Sequence, residues 1–198
     1  MIVWINGAFG VGKTTTARLL TSALPDARLF DPEFLGSMLT AFVTSPTGDF
    51  QDLPLWRHLV VQTVTGLDRH HAGVWIVPMS LLDPAHRAEI LGGIRAAGVD
   101  VREVVLTLPE DRLRARIDAD QVEVGARAWR HDHVVRALAT FASVTDARRI
   151  DASAPPEQVA DAVGGAGGGG TSGGGWGAGG VEAGGAEPRR FNRGGGGW

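Results

Sequence analysis

Eight residues near the start of the chain, Gly7-Ala-Phe-Gly-Val-Gly12-Lys13-Thr14, match the pattern G-x-x-x-x-G-K-[ST] and follow, after Asn6, the apolar run 2–5. No other feature constrains the fold as tightly. An apolar strand must feed a turn whose glycines let backbone N–H groups converge on phosphate oxygens. A helix must then start near Lys13, so that its positive end faces the same point. Lys13 is the only lysine; the other 18 basic residues are arginine. A chain that uses arginine everywhere else keeps a lysine where a compact ammonium is needed. Gly7, Ala8, Phe9, Gly10, Val11, Gly12, Lys13, Thr14 and Thr15 are therefore the expected nucleotide-binding residues. Lys13 supplies charge for the β and γ oxygens, and Thr14 supplies a hydroxyl ligand for Mg2+. The competing reading is a glycine-rich turn with no ligand.

The remaining pattern alternates short apolar runs with helical periodicity. Strands are predicted over 2–5, 27–30, 73–77, 101–108 and 149–151. Helices are predicted over 14–24, 33–43, 55–69, 84–97, 110–118, 134–143 and 156–163. Residues 44–54 read as a polar loop, and 120–133 as polar and weakly periodic. Strands separated by helices imply right-handed crossovers and a parallel sheet covered on both faces. The expected fold class is α/β: a P-loop NTPase- or kinase-like parallel sheet of five strands, flanked by helices, with a lid segment. Ligands of such sheets bind at the C-terminal strand ends. The phosphate loop, Asp31, residues 78–80 and Asp151 all fall there.

Composition bounds the rest. Hydrophobic residues make up 43% of the 198, enough for a core, and the absence of cysteine excludes disulfides and a Cys nucleophile. A formal charge of −3 argues against general nucleic-acid binding. The N-terminus lacks the basic region and cleavage site of a signal peptide, and no apolar run approaches a membrane span. A cytoplasmic protein without stable membrane insertion is expected. Of 29 glycines, 18 lie in residues 164–198. That segment offers too little to bury and is expected to be a disordered tail behind a single domain of residues 1–163. Its Trp176, Phe191 and Trp198 read either as a partner contact or as part of a dispensable end.

A phosphate loop alone does not separate motors, GTPases and small-molecule kinases. The single lysine excludes a guanine-reading Asn-Lys-x-Asp motif, and five short strands suit a small kinase. Residues 112–136 are arginine-rich, as expected of a lid that closes over phosphates and excludes water. Arg116, Arg127, Arg130 and Arg136, with Arg112 and Arg114, are candidates to stabilise charge in transit; the alternative for each is a solvated helix face. Asp31 and Glu33 sit just past the second strand. A carboxylate there can orient an acceptor hydroxyl and take its proton, whereas the plainer role for Asp31 is a helix cap. The third strand ends without an acid, so Mg2+ would rest on Thr14, on the nucleotide, and through water on Ser80 or Asp31. Trp56 could stack on a planar base and Arg57 hold a phosphate or carbonyl. The alternatives are a core tryptophan and a helix-face ion pair.

The opening segment 1–14, with its Trp-Ile-Asn-Gly-Ala-Phe-Gly, resembles the tunicamycin-resistance proteins, P-loop proteins similar to small kinases. Phe30-Asp31-Pro32-Glu33, Asp49-Phe50-Gln51, Pro54-Leu55-Trp56-Arg57 and Ile76-Val77-Pro78-Met79 fit the same resemblance, and residues 110–117, Trp129 and Arg136 fit it more loosely. It spans roughly residues 1–163. It implies binding of ATP and phosphorylation of a small-molecule acceptor, a nucleoside-like antibiotic or a sugar hydroxyl. An ATP-binding protein that sequesters the drug without chemistry, or a housekeeping sugar or nucleoside kinase, are the alternatives.

Overall fold

The computed structural model describes residues 1–122 and 124–165. Its first strand, β1 (Ile2–Gly7), is buried along its whole length, as the apolar run requires. The phosphate loop follows, then α1 (Lys13–Ala23). Edge strand β2 (Ala27–Leu29) leads into α2 (Glu33–Thr40). Helix α3 (Pro54–His70) opens with proline in its first turn, where a missing N–H costs nothing. After β3 (Val74–Pro78), α4 (Pro84–Ala96) is capped by Asp83, whose Oδ1 accepts from the Ala85 and His86 N–H groups. Strand β4 (Val101–Thr107), α5 (Glu110–Ala119), α6 (Arg127–Ser143), β5 (Arg148–Asp151) and α7 (Pro156–Gly164) complete the domain.

The five strands pair in the order β2-β3-β1-β4-β5, all parallel. One apolar cluster joins the sheet to α1, α5, α6 and α7 through Ala17, Leu20, Leu113, Ile117, Ala137 and Val163. The other, containing Trp4, Trp56, Val60, Ile90 and Ile94, buries α3 and α4 on the opposite face. The expected doubly covered sheet is the one observed.

Two segments differ from expectation. Helix α6 starts at Arg127, well before residue 134. Its buried face is Arg130, Val134, Ala137 and Phe141, at helical spacing. A buried arginine occupies the first of these positions, so the periodicity of the sequence looked broken there. The polar loop 44–54 holds a short 3-10 turn, Phe50–Asp52, whose start is fixed by Gln51 N–H donating to Asp49 Oδ1 at 2.9 Å. At the other end α7 stops at Gly165, which adopts the left-handed conformation (φ 81°) typical of a helix C-terminus. The tail expectation, from residue 166 on, lies outside the described residues.

Candidate active site

The helices that follow β1 and β3 leave toward opposite faces of the sheet, α1 to one and α4 to the other. Adjacent strand ends with diverging connections leave a crevice, the usual ligand position of an open α/β sheet. The β1–β3 ladder runs up to the Met79 N–H, which donates to the Ile5 carbonyl at 3.0 Å. Beyond that point side chains replace the backbone pairing. Asn6 Oδ1 accepts the N–H of Gly7 (3.0 Å) and of Leu81 (2.9 Å), while its Nδ2 donates to Glu103 Oε1 at 3.0 Å. Ser80 Oγ donates to the Gly7 carbonyl at 2.8 Å. Glu103, buried in β4, is held by Arg87, which also reaches Asp146. An asparagine within an otherwise apolar strand was the only sign of this network in the sequence.

The loop itself needs its glycines. Gly7 (φ 139°) sits so close to β4 that an added Cβ would lie 2.7 Å from the Leu106 carbonyl oxygen. Gly12 (φ 108°) turns the chain into α1 in a conformation that side chains resist. No side chain caps α1, so its first-turn N–H groups remain for an anion. Ala8 and Val11 are buried and anchor the turn from below, Phe9 and Gly10 are half-buried, and Thr14 and Thr15 are exposed at the mouth. Lys13 folds back over the loop. Its Nζ donates to the carbonyls of Gly7 (3.1 Å) and Ala8 (2.9 Å) and lies 5.5 Å from the Phe9 ring centre. Burial pulls its pKa down to about 7; Arg130 pushes the same way and Glu33 opposes both.

Asp31 and Glu33 lie at the end of β2. Glu33 N–H donates to Asp31 Oδ1 at 3.0 Å, so Asp31 does serve the start of α2 with one oxygen. The Glu33 carboxyl is held above the ordinary carboxylate range. Burial contributes most and the Asp31 charge adds to it, while Lys13 and Arg130 act against them. The two acids, Lys13 and Arg130 thus share one electrostatic neighbourhood. Among the described residues no group of three or more His, Cys, Asp or Glu could hold a metal ion. A cation arriving with phosphate would find the exposed Thr14 hydroxyl at the mouth of the loop as an oxygen donor.

The arginines of the lid divide by position. Arg116 bridges the phosphate loop and the loop after β5: its Nη1 donates to Val11 O at 2.9 Å and its Nη2 to Ala152 O at 2.8 Å. Arg130 is buried on α6 and pairs with Asp120 at 2.7 Å. Arg127 Nη2 donates to Asp120 O at 2.8 Å, which ties the lid turn to α6. Arg136 is exposed, and its charge acts on Asp83 at the start of α4. Arg114 pairs with Glu110 within α5 and also reaches the His131 carbonyl. The sequence reading placed Trp129 only in the loose resemblance and gave it no role at the site. Its ring meets Phe9 of the phosphate loop edge-on at 4.8 Å and stacks on His133 at 4.1 Å, so α6 clasps the loop one residue from Arg130. A lone tryptophan in an arginine-rich polar stretch was the available signal.

The stacking role expected of Trp56 is corrected. Trp56 is 0% exposed, packs against Phe50 at 5.2 Å between ring centres, and donates its indole N–H to Pro32 O at 3.2 Å. A ring enclosed on all sides cannot stack on a ligand; its place on α3 turns it under α2. Arg57 is held on its helix by Glu89 (2.6 Å) and donates to Gln51 O at 2.7 Å. It supports the 49–52 turn, whose Gln51 Nε2 donates to Ser80 O at 3.0 Å. Trp56→Ala is expected to cost about 3–5 kcal/mol of stability, as large-to-small core changes do. Chemical denaturation should register that loss in full.

Comparison with known proteins is consistent with this geometry. A family model described as an AAA domain matches residues 2–145. The structure of the Deinococcus radiodurans tunicamycin resistance protein is similar at 32% identity and TM-score 0.68, over 83% of this chain and 94% of that one. The Mycobacterium tuberculosis APS kinase, in complex with AMPPNP and APS, shares the fold at 21% identity and TM-score 0.60, over 82% of this chain and 94% of that one. A sugar kinase from Janibacter does so at 17% identity and TM-score 0.58, over 81% and 90%. No curated protein sequence matches. No helix among the described residues is long and apolar enough to cross a membrane.

Proposed function

Because this chain belongs to the AAA-domain family and, within it, with the tunicamycin-resistance proteins, we propose that it is an ATP-dependent phosphotransferase that phosphorylates a hydroxyl of tunicamycin or a similar nucleoside antibiotic. The observation that carries this reading is the pair Asp31 and Glu33 placed in the electrostatic neighbourhood of Lys13, beside an uncapped α1. Hydrolysis and transfer alike need a group that orients the attacking oxygen; in this reading Asp31 and Glu33 do so for an acceptor hydroxyl.

In this reading ATP supplies the phosphoryl group, and Mg2+ offsets its charge. Residues 7–15 bind the phosphates through backbone N–H groups, Lys13 and the Thr14 hydroxyl. Asp31 orients the acceptor hydroxyl and takes its proton with the oxygen that does not cap α2. Glu33 sets the charge at Lys13. Arg130, brought in by the lid helix, faces the same point, and Arg116 holds the nucleotide side of the loop. Phe9 and Trp129 close the lid over the phosphates and exclude water.

Incubation of the full chain with ATP, Mg2+ and tunicamycin, followed by mass spectrometry of the drug, tests the proposal. A phosphorylated drug is expected. Tight binding with no adduct would instead identify a drug-sequestering protein. Transfer to sugars or nucleosides but not to tunicamycin would identify a housekeeping kinase.

A further inference from the structure

The Asn6 side chain joins the phosphate loop to a buried ion pair, and it can do so in only one orientation. Its Oδ1 accepts the N–H of Gly7, the first residue of the loop, and of Leu81, just past the end of β3. Its Nδ2 donates to Glu103 Oε1 at 3.0 Å. Turning the amide over would set its NH2 against two N–H donors and its oxygen against a carboxylate, which only accepts. The two sides of the amide therefore select the same orientation. Backbone N–H groups come with any sequence. Glu103 is the half of this selection that depends on the residue chosen.

We propose that Glu103 is a positioning residue for the phosphate loop: by fixing the Asn6 amide, it fixes the Gly7 end of the loop and the spacing of that end from Leu81. The inference rests on the reading of the loop as an ATP site. It assigns to that site a residue enclosed in the sheet, out of reach of nucleotide and acceptor. Glu103 pairs in register with Trp4 and is 6% exposed. Arg87 of α4 balances its charge, with Nε donating to Oε1 at 2.9 Å and to Oε2 at 3.1 Å. Arg87 is held in turn by Asp146 Oδ1 at 2.7 Å. A buried ion pair of this kind adds little stability over apolar residues of the same volume. Its use here is geometric: a carboxylate clamped from behind by a guanidinium keeps one oxygen aimed at Asn6.

The test exchanges the polarity of the Asn6–Glu103 contact and reads ATP binding to the full chain by calorimetry, well below the melting temperature of each variant. In Glu103→Gln an NH2 must face a donor of Arg87 or of Asn6, whichever way the new amide lies. The Asn6 amide and the loop then settle elsewhere, and the nucleotide has to restore their position. ATP binding is expected to weaken about tenfold, within the range for leaving one buried donor unpaired. Adding Asn6→Asp reverses the pair: the glutamine NH2 donates to the new carboxylate, whose other oxygen still accepts from Gly7 and Leu81. This double variant is expected to return to within about threefold of the unaltered protein, because the two changes are coupled. Asn6→Asp alone sets two carboxylates face to face and should bind most weakly. If that variant does not fold, the other two still decide. Unchanged ATP affinity in Glu103→Gln, whatever its melting temperature, overturns this inference alone. So does a Glu103→Gln chain that does not fold, since the residue then serves the fold. A double variant that binds no better than Glu103→Gln, or does not fold, overturns it as well. Failure of the unaltered protein to bind ATP overturns it together with the proposed function.

Discussion

Lys13→Ala should abolish ATP-dependent turnover while the domain stays folded. The fold does not need the ammonium: Gly7 O keeps Ser80, the loop keeps its glycines, and Ala8 and Val11 stay buried beneath it. The chemistry does need it, since Lys13 is the only cation that belongs to the phosphate loop itself. Turnover measured with the identified acceptor should fall to background, with an unchanged circular dichroism spectrum and melting temperature. Activity that survives would remove the loop from the mechanism. The same side chain sets a pH dependence. In the free protein its pKa is about 7, whereas a bound triphosphate favours the ammonium and raises it. Binding must then take up a proton wherever the free lysine is neutral, and ATP affinity must fall as pH rises above about 7. Above roughly pH 7.5 the terminal phosphate is already ionised and adds little to the slope. Calorimetry at pH 8 in buffers of different ionisation enthalpy should register an uptake approaching one proton. In Lys13→Ala the uptake should disappear.

Asp31→Asn is expected to lower turnover by ~10²–10⁴-fold, the usual worth of a general base, with little change in ATP affinity. Asparagine keeps the Oδ1 that accepts from Glu33 N–H, so the start of α2 is preserved. It cannot take a proton. Glu33→Gln should behave differently, because the Glu33 charge acts on Lys13 and its removal favours the neutral amine there. That variant should weaken ATP binding as well as turnover. If Asp31→Asn turns over normally, the proton passes to Glu33, and Asp31 is left with its capping role.

These roles differ in how far the linear chain displayed them. The phosphate loop was legible because it is local. Backbone conformation at Gly7 and Gly12, the strand before them and the helix after them are all specified within about twelve neighbouring residues. Asp31 and Glu33 were legible in position, just past the second strand, but a carboxylate there also caps a helix, as Asp31 does. Helix α6 was legible only in its second half. Arg130 takes the place of an apolar residue on the buried face, and its partner Asp120 lies in the lid turn before the helix.

What the sequence alone determined, then, is the part written in short-range order: a parallel α/β sheet, a phosphate loop at the first strand end, and acids after the second. Those elements follow from periodicity, glycine conformation and helix polarity, none of which requires distant residues. Tertiary structure decided which side chains work together. Trp56 read equally as a ligand platform or a core residue until α2 and Phe50 covered it, whereas Trp129 had no role until α6 laid it on Phe9. Ser80 and Asn6, 74 residues apart in the chain, become partners of one loop because parallel pairing brings β1 and β3 side by side and their backbones then diverge. Burial and pairing depend on what packs opposite a residue, and that is settled only when the chain has closed on itself.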